Sequence, residues 1–152
     1  MKMHVLLITI LLAPSLTAAQ DNRLVGTWER VSALTATGAP ETPLAPALLI
    51  VSADGHFTFS AIPTGRPKIN KPLDQLTREE VLERYRGLTV RRGTWSVTEN
   101  RFVTIENGAE NPNLEGREVV RLFRMEGDVL VLSSPNPQDK TENRWRRSTS
   151  TR

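Results

Sequence analysis

The chain of 152 residues contains no cysteine. Disulfides, thiolate nucleophiles and Cys-ligated metals are therefore excluded. A lipid anchor on a cysteine is excluded with them. Histidine is nearly absent as well, with only His4 and His56. One imidazole in the body of the chain cannot build a His-based metal site. A catalytic His would also need an orienting carboxylate and a nucleophile, and His56 beside a turn glycine is expected to be a surface residue. There is no Gly-rich phosphate loop and no nucleophile elbow. Strands and helices do not alternate, which argues against a parallel sheet. The length allows one ordinary domain and is too short for a TIM barrel.

No apolar run approaches the roughly 20 residues of a membrane-spanning helix. The longest, Val5 to Ala13, follows the basic Lys2 and ends at Pro14-Ser15. Thr17-Ala18-Ala19 then offers small residues at a cleavage position, so residues 1–19 read as an export signal. The expected mature domain spans 20–152, secreted or periplasmic, without a membrane span. Lys2 is the only charge of the signal, so the net charge of +3 falls by one on its removal. The remaining basic groups are scattered, which is not the clustered face that nucleic acid requires. A monomer with no nucleic-acid partner and no cofactor is expected.

What the chain does have is a succession of short β-rich runs. Leu24 to Ala36 is the first. Ala47 to Ser52 and His56 to Ile62 flank Ala53-Asp54-Gly55, a strong hairpin signal. Leu88 to Thr98 and Arg101 to Glu106 follow, then a polar loop from Asn107 to Gly116. Glu118 to Met125 and Val129 to Ser133 flank Glu126-Gly127-Asp128, and Thr141 to Ser148 is last. One helix is predicted over Thr77 to Arg86, with Thr77 and Glu80 at capping-box spacing. Val81, Leu82 and Tyr85 give it an apolar stripe expected to pack on the sheet. It follows a loop, Pro63 to Pro72, with three prolines and Arg66, Lys68 and Lys71. The predicted fold is all-β: about eight antiparallel strands closed into an up-and-down barrel, with the helix between the third and fourth.

Gly26-Thr27-Trp28 at the start of the first strand resembles the lipocalin signature. The ordered set of ALLIVSADGHFTFSA, GRPKIN, LTREEVLERYRG, RGTWSV, NPNLEGREVVRLFRMEGDVLVLSSP and Trp145-Arg146-Arg147 is similar to the bacterial and fungal lipocalin-like domain family over residues 22 to 148. The resemblance implies a calycin-type barrel with an internal chamber and no settled reaction. It implies a structural role for Gly26 and for Trp28, whose ring would close one end under Arg146 or Arg147 by a cation–π contact. Arg121 matches an arginine the family usually has. Arg30 and Arg91 depart from it, since apolar or aromatic residues are usual there.

Side chains alternate along a strand, so one parity faces the chamber. Arg30 shares the parity of Trp28. Arg91 shares that of Gly93 and Trp95, and Arg121 that of Val119 and Phe123. No acid shares the inward parity of the first or sixth strand near Arg30 and Arg121. The expected ligand site is therefore Arg121, Arg30 and Arg91 with Phe57, Phe59, Trp95 and Phe123 as apolar wall. The expected function is a module that holds a small hydrophobic or amphipathic, anionic ligand. An exported interaction or inhibitor domain, or a barrel enzyme without a recognisable motif, stays open, and no catalytic or metal residue is assigned.

Overall fold

The structure is a computed structural model that describes residues 23–149. The expected export signal lies outside the described residues. Eight strands run in order: β1 Gly26–Leu34, β2 Ala47–Val51, β3 His56–Ala61, β4 Thr89–Thr98, β5 Arg101–Ala109, β6 Glu118–Glu126, β7 Val129–Ser133 and β8 Glu142–Arg147. Each pairs antiparallel with the next, and β1 pairs with β8, so the barrel is closed. Closure leaves no open sheet edge.

The alternation behind this is plain in β2, where Leu49 and Val51 are buried and Ile50 is turned out. The hairpin to β3 forms at Asp54-Gly55. Ser52 N–H donates to His56 O (2.8 Å), and the Asp54 carboxylate accepts from His56 N–H (3.1 Å). In β1 the inward parity of Trp28 and Arg30 does not persist. The register against β8 shifts between Arg30 and Ser32, and Ala33 becomes the next buried residue. That is the effect of a bulge.

Up-and-down order puts the hairpins β2–β3, β4–β5 and β6–β7 at one end and the longer connections at the other. The hydrophobic cluster runs from Leu24, Trp28, Val51, Trp95, Phe123 and Leu130 to Leu49, Phe57, Phe102, Leu132 and Trp145.

Two expectations need correction. The first concerns β5, which does not stop at Glu106 but continues to Ala109. Its register against β4 slips between Arg92 and Gly93. A Cβ at Gly93 would collide with the Ile105 carbonyl, so only glycine allows the two backbones to approach this closely. Asn107 and Gly108, turn formers in isolation, are thereby carried into the ladder.

The second concerns the helix, α1 Arg78–Tyr85. It starts as expected: Thr77 Oγ1 accepts from Glu80 N–H (3.2 Å) and the Glu80 carboxylate from Thr77 N–H (2.9 Å). Yet none of its residues is buried, and Leu82 and Tyr85 are exposed. The helix is held by polar ties to the preceding loop instead. Arg84 Nη2 donates to Ile69 O (2.8 Å), Arg66 donates to Arg84 O, and Lys71 pairs with Glu80 (2.7 Å). The apolar stripe stays unburied, with only Val81 partly covered.

Candidate functional site: a chamber with three arginines

The two ends of the barrel differ because of what the first strand carries. Trp28 is fully buried, and its Nε1–H donates to Leu24 O (2.8 Å). Arg147 lies over its ring and donates from Nη1 to Val25 O and from Nη2 to Arg23 O, both at 2.7 Å. Gly26 has φ of 147°, and a Cβ there would collide with Arg147 Nη1. The glycine of Gly26-Thr27-Trp28 thus makes room for the arginine that covers the tryptophan. Arg146, the other candidate, instead points to Asp128 at the surface (3.9 Å).

Above this plug lies a chamber of about 360 Å³, open toward the longer connections. Phe57, Phe59, Leu49, Phe102, Leu132 and Trp145 form its apolar wall, with Phe59 and Trp145 edge to face at 6.1 Å. Arg30, Arg91 and Arg121 all line it. Trp95 and Phe123, expected on the wall, share the hydrophobic cluster with it but are not among the residues that line the chamber. Trp95 donates its Nε1–H to Ser52 O (2.9 Å). Their parity is inward, but their height along the barrel is wrong.

The three arginines differ in their partners. Arg30, its side chain 8% exposed, pairs with Glu41 (3.1 Å) and donates to Asn143 Oδ1 (3.2 Å). Glu41 arrives from the β1–β2 connection. Arg91 pairs with Glu106 (3.3 Å) and reaches Glu110 (3.6 Å). Glu106 stands on β5 and is only 3% exposed in its side chain. Arg121 is half-buried and donates to the adjacent Val120 O (3.2 Å). It forms no ion pair with any of the described residues.

Burial pushes the Arg121 guanidinium below its ordinary value. Asp139 and Glu106 act against the shift from a distance, and Arg91 adds to it. The group still stays cationic, as arginine does in proteins.

Sequence reasoning missed Glu41, Glu106 and Trp145 as members of this site. Trp145 faces Arg30 across the β1–β8 ladder. His56 stays at the hairpin tip, exposed beside Asp54 (3.2 Å).

A model of the lipocalin-like domain matches residues 25–151. Among solved structures, a lipocalin-like protein from Bacteroides uniformis ATCC 8492 has a TM-score of 0.51 at 16% identity, over 83% of this chain and 99% of that one. A mutant of the fluorescent protein UnaG has a TM-score of 0.44 at 16% identity, over 84% of this chain and 98% of that one. Among curated proteins, none matches.

Proposed function

The chain belongs to the lipocalin-like domain family, and on that premise we propose that it is an exported protein that binds a small anionic amphiphile in its barrel. The observation that carries this reading is Arg121, a chamber-lining cation without an ion-pair partner among the described residues. Removing a guanidinium from water is costly unless an opposite charge compensates. Arg30 and Arg91 have that compensation in direct ion pairs, whereas Arg121 has only Asp139 and Glu106 at a distance. A ligand carboxylate supplies it through a charge-assisted pair. The apolar part of the ligand lies against Phe57, Phe59 and Trp145. A chamber of about 360 Å³ is within the range of small-molecule sites.

The test is a titration of dodecanoate and 1-dodecanol against the wild type and Arg121→Met. The acid is expected to bind the wild type more tightly than the alcohol, and the substitution to abolish that difference. Equal binding of acid and alcohol by the wild type would refute the anionic reading.

A second reading, a barrel enzyme, has one observation in its favour: the buried Glu106 carboxylate keeps one oxygen without a protein partner among the described residues. Mass spectrometry of the ligand after incubation distinguishes the two. A binding protein returns it unchanged.

A further inference from the structure

Arg30 lines the chamber, yet its terminal nitrogens have nothing left to offer an occupant. Nη1 donates to Glu41 Oε2 (3.4 Å) and to Asn143 Oδ1 (3.2 Å). Nη2 donates to Glu41 Oε1 (3.1 Å) and to Ala45 O (2.5 Å). Each terminal nitrogen of a guanidinium carries two hydrogens, so all of them are engaged. Glu41 and Ala45 belong to the connection between β1 and β2, and Asn143 stands on β8. One buried side chain therefore ties that connection to the barrel wall.

The connection is otherwise fastened at its ends. Glu41 N–H donates to Ala33 O (2.9 Å), and Pro46 O accepts from Ile62 N–H (3.0 Å). Between these anchors, residues 42–45 make no backbone–backbone hydrogen bond with the described residues. Ala45 N–H reaches Glu41 Oε1 (3.4 Å), but that bond is internal to the connection. Among the described residues, Arg30 alone joins this stretch to the barrel by a hydrogen bond. A segment held by so few bonds opens locally at low cost.

Its place gives the opening a consequence. The strands supply most of the chamber's lining, and among the described residues only Glu41, Ala45 and Gly87 reach it from the connections. The stretch from Glu41 to Ala45 thus forms one side of the mouth.

We infer that Arg30 is the positioning residue of the mouth: it latches residues 42–45 at the rim, and an occupant enters or leaves when the latch opens. Arg121 receives the ligand's charge, and Arg30 governs its passage. The inference rests on the proposed binding in the chamber but not on the occupant's charge.

The experiment is stopped-flow mixing of the full chain with 1-N-phenylnaphthylamine, a neutral apolar fluorophore. A neutral probe is not steered by the charges that the variants change. Glu41→Gln keeps the shape of the side chain and removes the charge that holds Arg30. It is expected to raise the association rate constant about fivefold or more, the scale of weakening a hydrogen bond to a charged group. Arg30→Lys lacks the fork that spans these acceptors and should raise it too. It gives a second route should Glu41→Gln not fold. Association is the telling rate, since a damaged chamber releases its occupant sooner but does not admit it faster. If the folded variants take up the fluorophore at the wild-type rate, or only dissociation quickens, the inference fails while the binding reading stands. If the wild type takes up no fluorophore and binds no dodecanoate by calorimetry, both fail together.

Discussion

The Arg147 guanidinium lies 4.3 Å from the centroid of the Trp28 ring. The contact joins the first strand of the barrel to the last. Arg147 also holds the backbone carbonyls of Arg23 and Val25, so one side chain covers the indole and fastens the segment leading into β1. A cation over an indole contributes about 0.5–2 kcal/mol, depending on how far it is desolvated. This plug makes the chamber a pocket with one mouth.

Trp28→Ala is expected to destabilise the protein by about 3–5 kcal/mol, the usual range for removing a large buried aromatic. Equilibrium unfolding in denaturant measures it. An unchanged midpoint would mean that Trp28 contributes nothing to closure.

Gly26→Ala tests the same plug from the backbone. The positive φ and the displaced Arg147 together should cost about 1–3 kcal/mol. Gly65, at φ 73° but with open space around its Cβ position, provides a control with strain and no collision. If Gly26→Ala costs no more than Gly65→Ala, the close approach of Arg147 has no energetic weight.

Arg121→Met should stabilise the ligand-free protein, by about 1 kcal/mol, while removing the preference for acids. A half-buried cation without an ion pair is only partly offset by the distant Asp139 and Glu106, and an anionic occupant supplies the rest. Thermal melts with and without dodecanoate report both effects. Destabilisation by the substitution would mark Arg121 as structural.

On the outer face, Glu126 accepts from Arg144 and from Arg124 Nε (2.8 Å), and Glu142 accepts from Arg124 (3.0 Å) and Arg144 (3.2 Å). Arg144 first, then Arg124, holds the Glu126 carboxyl below its ordinary value of 4.5. A carboxyl depressed in the folded state stabilises the fold above its unfolded value. That contribution disappears as pH falls through the folded one. Titration of the Glu126 side-chain carbon by NMR should give a midpoint below 4.5, moving back toward it in high salt. A midpoint at 4.5 in low salt would show that the ladder does not form in solution.

The barrel was largely legible because its signals are local. Asp54-Gly55, Gly127-Asp128 and the Thr77–Glu80 capping box are each settled within a few residues. The chamber was half legible. Parity assigned Arg30, Arg91 and Arg121 to the interior, where all three lie. It cannot give height along the barrel axis, so Trp95 and Phe123 were expected on the wall although they do not line the chamber. Glu106 continues the inward parity of Phe102 and Thr104, but Asn107-Gly108 reads as a turn and hides it. Only the bulge opposite Gly93 keeps that stretch in the ladder. Glu41 lies in a Pro-rich connection with no periodicity at all, so nothing in the sequence places it beside Arg30.

The pairing of β1 with β8 also sets a problem of timing. Arg147 and Val25 are 122 residues apart along the chain. Closing a loop of that length costs roughly 4 kcal/mol of chain entropy beyond a constant before any contact offsets it. Refolding should accordingly be slow, on the scale of milliseconds to seconds typical of non-local β topologies. Until β8 arrives, β1 and β7 each expose a bare row of backbone donors and acceptors that another chain can pair with. Aggregation is therefore a hazard of the interval before the last strand docks, and it ends when the seam closes.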